Sequence, residues 1–240
     1  MSVSVSVSAL QRAMVCPAST VLPRKPDTGR GAAAARGDMA HAIIAAHLRG
    51  WPQPDIGRYR IKMDLPALEA YIGEGERRCE LAMAYDGNGV EVLGEDIGRE
   101  YNRPNALCGS ADLVRFGRVA MVLDVKTGAI PAPHPRENWQ IATLAMMAAL
   151  AFPEFEGIRG VIAKLDRDGS WEFSEHVYTR SDLQAVRARV DAARSLWTQV
   201  DELHQSGWGA DPVPSQNCRF CKCVCPHADV TVFPAVASAV

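Results

Sequence analysis

Residues 121–128, MVLDVKTG, form an apolar run that is broken by Asp124, resumes at Val125 and then places Lys126. Side chains two apart on a strand project to one face, so Val122, Asp124 and Lys126 make one row. An acid and a base side by side at the end of that row read either as an ion pair at a sheet end or as part of a catalytic centre. The preceding apolar run, ALCGSADLVRF at 106–116, carries Asp112, and FGRV at 116–119 joins the two. A two-residue loop at Gly117 and Arg118 would pair Phe116 with Val119, set Asp112 against Leu123 and send the acids to opposite faces. A three-residue loop or a bulge, either of which Gly117 permits, brings them to a common point. In that register two carboxylates and the backbone carbonyl of Val125 suit a hard divalent cation such as Mg²⁺ or Mn²⁺. Lys126 then stands where it aligns an attacking water and offsets charge on a phosphate.

Composition frames this reading. The chain has 240 residues, 48% hydrophobic and 22% charged, enough to bury a full core in one domain with small attached elements. A net charge of −2 announces no overall nucleic-acid footprint, so any basic surface must be local. The opening MSVSVSVSAL lacks a basic segment followed by a continuous apolar one, and no stretch reaches membrane-spanning length, so a cytoplasmic protein with no membrane partner is expected. In a reducing compartment its seven cysteines read as metal ligands, reactive thiols or core residues before disulfides.

Outward from the central pair of runs, the Ser/Val alternation of residues 2–8 is a frayed tail or an edge strand. RGDMAHAIIAAHLRG at 36–50 is a helix with His41, Ile44 and Leu48 on one stripe and Gly50 at its end. A second helix is expected over 66–85, then a strand in VEVLGEDIG at 90–98. After the MVLDVKTG strand follow a helix, ENWQIATLAMMAALAF at 137–152, two strands, GIRGVIAKLD at 157–166 and WEFSEHVY at 171–178, and a long amphipathic helix over about 181–205. This order predicts an α/β fold with a mixed β-sheet flanked by helices. The apportionment is a flexible tail at 1–15, an α/β core at 16–215 and a cysteine-rich segment and tail at 216–240.

GSADLV followed by LDVKTG resembles the paired strands of the PD-(D/E)xK nuclease superfamily, with Asp112 as first acid and Asp124-Val125-Lys126 as the D-x-K element. RGDMAH, GSADLV, DVKTG and NWQIATLAMMAA together are similar to its RecB-type branch. The resemblance implies a restriction-endonuclease-like core and divalent-metal-dependent hydrolysis of DNA. It implies that His41 joins Asp112, Asp124 and Val125 in the Mg²⁺ or Mn²⁺ shell, and that Gln140 contacts DNA or orients the site. A further acid from the preceding strand completes such sites, with Glu95 the better candidate and Glu91 the other. The tyrosine usual one turn after the glutamine is replaced by Leu144. A D-x-K triplet alone recurs by chance, and the ordered set is what carries the resemblance.

Four cysteines within the eight residues 218–225 rarely serve packing alone. By resemblance to CRISPR-associated adaptation nucleases, AddB-type helicase–nucleases and related phage proteins, Cys16, Cys218, Cys221 and Cys225 would hold a [4Fe–4S] cluster that staples the chain ends. The last gap is shorter than is common there, and it contains Cys223 as a rival ligand. Tetrahedral Zn²⁺ is the alternative metal. Cys79 and Cys108 read as core residues, and the five other histidines as core or solvent residues. The function expected is an exonuclease on DNA ends or single strands, in recombination, repair or phage DNA processing, with a recombination or helicase partner. The alternative is a metal-stapled nucleic-acid-binding or assembly module without cleavage, and a weaker third reading is a redox or zinc protein in which the Asp–Lys pair is only an ion pair.

Overall fold

The structure, a computed structural model, describes residues 4–25, 31–55, 60–95, 102–128, 132–215, 218, 221–225 and 227. Residues 2–3, residues 96–98 of the run at 90–98, and the apolar tail from 228 lie outside them. The elements in chain order are β1 (Val5–Ser6), α1 (Leu10–Val15), α2 (Ala32–Arg49), α3 (Leu65–Ile72), β2 (Arg77–Tyr85) and β3 (Val90–Glu95). They continue with β4 (Leu107–Arg115), β5 (Val119–Lys126), α4 (Trp139–Ala151), β6 (Gly157–Leu165), β7 (Trp171–Tyr178) and α5 (Arg180–Gln205). The result is a mixed seven-stranded sheet flanked by helices, in the order β3-β2-β4-β5-β6-β7 with β1 on β4. Among the described residues no helix is long and apolar enough to cross a membrane.

The helix expected over 66–85 ends at Ile72, and Arg77–Tyr85 is a strand. Gly73 and Gly75 both have positive φ, which breaks the helix between them and the strand. The Ser/Val run is a strand over Val5–Ser6, and Val5, Val7, Leu10 and Ala13 are buried, so these residues belong to the core.

Two apolar layers cover the sheet. One holds Ala111, Val114, Ala120, Val122 and Ile162 with α4 and α5, and the other holds Cys79, Leu113, Leu123, Val125 and Val161 with α2 and α3. Along β2, Cys79 packs in the second layer and Leu81 in the first; along β4, Leu113 packs in the second and Ala111 in the first. Residues two apart normally share a face, so both strands roll over at the residues between, Glu80 and Asp112. These two stand opposite each other, between the pairs Cys79–Leu113 and Leu81–Ala111. Glu80 carries the roll in its backbone, with φ of 52°.

Strand β4 also changes neighbour at this point. It pairs with β5 over Leu113–Arg115 and with β1 at Leu107 and Cys108. Between these ladders the edge of β4 is parted from β5, and the parting is a notch at the C-terminal end of β5. Gly109 lets β1 close the sheet below the notch. A Cβ there would meet Val7 Cγ2 at 2.6 Å and Val7 Cβ at 2.8 Å. Gly109→Ala is therefore expected to lower stability by about 1–3 kcal/mol through overpacking, read as a lower urea midpoint with an unchanged slope; an unchanged midpoint would show that Val7 yields freely.

Candidate active site

The register of the central hairpin decides which side chains meet. Leu113 pairs with Leu123 and Arg115 with Met121, so Asp112 lies level with Asp124, and an odd number of residues separates the paired positions at the turn. This is the register of a three-residue loop, not that of a two-residue loop at Gly117 and Arg118. Because the ladder ends at Leu113, the Val125 N–H is free to donate to Asp112 Oδ2, which answers where that backbone donor goes once β4 has turned away.

From the second layer comes His41. Gly37 and His41 lie four apart on α2, on one helix face. A Cβ at Gly37 would sit 3.1 Å from Thr127 Oγ1, so glycine lets α2 lie close to the end of β5. One turn on, His41 Nδ1 is 3.0 Å from Asp112 Oδ1 and 3.9 Å from Glu80 Oε1.

From the first layer comes Gln140. Asn138 Oδ1 caps α4 by accepting from the backbone N–H of Gln140 and Ile141, which fixes the helix start. The amide of Gln140 then bridges the D-x-K row. Its Oε1 accepts from Lys126 Nζ at 2.9 Å and its Nε2 donates to Asp124 Oδ1 at 2.7 Å. The ammonium and the carboxylate demand opposite ends of the amide, so the amide orientation follows from the chemistry. Lys126 Nζ also lies 2.7 Å from Asp124 Oδ2, in ion-pair contact. Asp124 Oδ2 is thus a buried oxygen whose neighbouring cation is Lys126.

Electrostatics divides the two acids. The Asp112 carboxylate beside it holds the His41 imidazolium well above its ordinary range, at about 9, against the opposing effect of burial. Burial opposes ionisation of Asp112, but the His41 charge, the His41 and Val125 hydrogen bonds and Lys126 together hold it below the usual carboxylate range. Asp124 is 4% exposed. Burial pushes its carboxyl up to about 6, Lys126 opposes this, and the charge of Asp112 adds to it.

The donor set fits a divalent metal. His41, Glu80 and Asp112 each offer a ligand atom, all within 4.8 Å of one another, and Asp124 Oδ2, beside Lys126 Nζ, is a further buried acceptor. Carboxylate oxygens are the ligands that Mg²⁺ and Mn²⁺ prefer. An ion there would displace the proton that His41 holds.

The sequence-derived candidates thus divide. His41, Asp112, Asp124, Val125, Lys126 and Gln140 surround the notch. Glu95 does not join them. It lies opposite Leu81 on the far side of β2, and its carboxylate accepts from the Cys79 N–H at 3.1 Å and pairs with Arg49 at 3.3 Å. Glu91 is further out, in an ion pair with Arg103. Strand β2 intervenes between β3 and β4, so the acid nearest Asp112 comes from β2, and it is Glu80. The period-2 apolar row Cys79, Leu81, Met83, Tyr85 after Gly75 was the signal for that strand. His47, unpartnered in the sequence reading, sits 3.2 Å from Glu69.

Apart from the notch, Cys16, Cys218, Cys221 and Cys225 line one cavity. Cys16 Sγ accepts from the Val213 N–H and Cys218 Sγ from the Ser215 N–H, each at 3.3 Å. Cys223 lies beside Cys221 and is not among the residues lining this cavity. Its thiol donates to the Ser19 carbonyl at 3.3 Å, and burial, with Cys221 beside it, pushes it up to about 11. Cys79 and Cys108 are buried in the core.

No curated protein matches the chain. Among solved structures, SSO0001 is 14% identical, with a TM-score of 0.44 over 95% of this chain and 88% of that one. A candidate exonuclease from Eubacterium rectale is 12% identical, with a TM-score of 0.46 over 91% of this chain and 86% of that one. The sequence model of one nuclease family matches residues 4–226, nearly the whole length and the notch with it, and the chain therefore belongs to the PD-(D/E)XK nuclease superfamily.

Proposed function

We propose that the protein is a divalent-metal-dependent DNA exonuclease acting on ends or single strands. The observation that carries the hydrolytic reading is the row Asp124–Lys126, bridged by Gln140 and set level with Asp112, His41 and Glu80 in a notch where the sheet parts. The exonuclease mode, and a role in recombination, repair or phage DNA processing beside a helicase or recombination partner, rest on the resemblance to RecB-type enzymes.

His41, Glu80, Asp112 and Asp124 would hold Mg²⁺ or Mn²⁺, with the Val125 carbonyl as a further oxygen. When bound, the ion supplies positive charge against the substrate phosphate. Lys126 orients the water for in-line attack and compensates charge that develops on the phosphoryl oxygens. Gln140 fixes the relative placement of Lys126 and Asp124 by bonding to both. The Glu80 backbone, in a region that costs a non-glycine residue about 1–3 kcal/mol, is held there by the roll of β2 and turns its carboxylate to Asp112.

The cysteine cavity supports a [4Fe–4S] cluster on Cys16, Cys218, Cys221 and Cys225. Tetrahedral zinc, with Zn–S of about 2.3 Å, would draw its sulfurs to about 3.8 Å of each other. Among the described residues the only group of three or more His, Cys, Asp or Glu ligand atoms within 4.8 Å is His41, Glu80 and Asp112. Tetrahedral zinc on the same thiols is the alternative metal.

The nuclease reading is tested on end-labelled single strands, linear duplex and closed circles with Mg²⁺ or Mn²⁺. Linear DNA is expected to be consumed from its ends and circles to survive; circles cut as fast as linear DNA would overturn the exonuclease mode. Glu80→Gln is expected to slow cleavage about 10²-fold and weaken Mn²⁺ binding, while Glu95→Gln stays within a few-fold of wild type. The reverse ranking would return Glu95 to the site.

A further inference from the structure

The lining of the cysteine cavity includes, besides its four thiols, Arg12, Ser19 and His227. Arg12 Nε and Ser19 Oγ are both buried without a hydrogen-bond partner, and Ser19 is only 5% exposed. An unmet buried polar group costs about 1–3 kcal/mol, and a guanidinium nitrogen can only donate. Two orphaned groups in one sulfur-lined cavity therefore call for an acceptor inside it. The backbone already aims donors there, through Val213 at Cys16 Sγ and Ser215 at Cys218 Sγ. Cysteine sulfurs accept such bonds, as Cys16 and Cys218 already do, and the sulfides of an iron–sulfur cluster would add further acceptors to the same cavity.

We infer that Arg12 and Ser19 donate hydrogen bonds to the sulfurs of the bound cluster, and that these bonds and the Arg12 charge set its reduction potential. The inference rests on the cluster reading above. Adding one electron makes a four-thiolate cluster more negative, so a neighbouring cation and additional donors favour the reduced form, and potentials follow net charge and hydrogen bonds to sulfur. Arg12 and Ser19 are positioning residues, since the iron is held by the cysteines.

The test is an anaerobic potentiometric titration of the full-length protein, followed by visible absorbance. Arg12→Gln is expected to shift the oxidised-to-reduced ratio at a fixed poise about tenfold towards oxidised, which is 59 mV for a one-electron couple. Ser19→Ala should move it the same way by less, and Arg12→Lys should recover part of the shift. Ser19→Ala removes a single oxygen atom and keeps the fold under test if Arg12→Gln does not accumulate; its Fe–S stretching bands should shift as a hydrogen bond is lost. A brown protein whose variants keep the wild-type midpoint and Fe–S bands overturns the roles of Arg12 and Ser19 and leaves the cluster standing. A colourless wild-type protein holding stoichiometric zinc overturns both.

Discussion

Asp124→Ala will leave a folded protein that binds Mn²⁺ weakly and does not cleave DNA, while Lys126→Ala will keep both the ion and the DNA and fail at hydrolysis. The two residues share a contact, but their losses differ in kind. Asp124 is a buried acid whose ionisation is opposed by burial and favoured by Lys126, and removing it takes an oxygen from the cation site. Lys126 is a donor that Gln140 holds in place, and its loss leaves the carboxylates intact. Removing one such charge-stabilising group slows turnover about 10²–10³-fold, with DNA affinity nearly unchanged because phosphate contacts elsewhere position the strand. Mn²⁺ titration, DNA anisotropy and cleavage rates read the three properties separately. Cleavage by Lys126→Ala at the wild-type rate across Mg²⁺ and Mn²⁺ concentrations would reduce the row to an ion pair at a sheet end.

The cysteines carry the largest expected effect on stability. Cys218→Ala or Cys221→Ala should bleach the brown chromophore and lower the melting temperature together, because metal ligation and folding of the two chain ends are one event. By chain entropy, a cross-link closing a loop of this length is worth about 5 kcal/mol, or about 10 °C or more in a chain this size. Cys223→Ala should keep its colour, since that thiol is spent on the Ser19 carbonyl. Parallel scans of the anaerobic proteins with iron and sulfide analysis decide the matter. Bleaching by Cys223→Ala with colour retained in Cys225→Ala would exchange the two ligands, and a zinc-loaded wild type would keep the staple and change the metal.

What the sequence revealed, and what it hid, follows from the reach of each signal. The D-x-K row is local, and so is the choice between loop lengths at Gly117, which a count of residues states as two alternatives. His41 and Gln140 were placed by helical stripe and order, because a helix start and a four-residue spacing are short-range features. Glu80 was hidden for two reasons. Its strand was absorbed into the helix before it, and its side chain reaches the site only because β2 and β4 roll over together, a tertiary event with no periodic trace. Glu95 was expected as the acid of the strand preceding that of Asp112, whereas in space β2 lies between β3 and β4. The orphaned Arg12 Nε has no signature in sequence at all.

The exchange of neighbours along β4 also sets an order of assembly. The hairpin of β4 and β5 closes over a few residues and can form as soon as it is made. Strand β1 emerges first but must wait for a partner about a hundred residues on, as the 104-residue separation of Ser4 and Cys108 records. The bond from Val213 to Cys16 waits longer still, across 197 residues. Long-range closures of this kind are slow. During synthesis β1 can therefore pair as soon as β4 has emerged, the hairpin that carries Asp112 and Asp124 follows within a few residues, and the cysteine cavity can close only after residue 225 has been made.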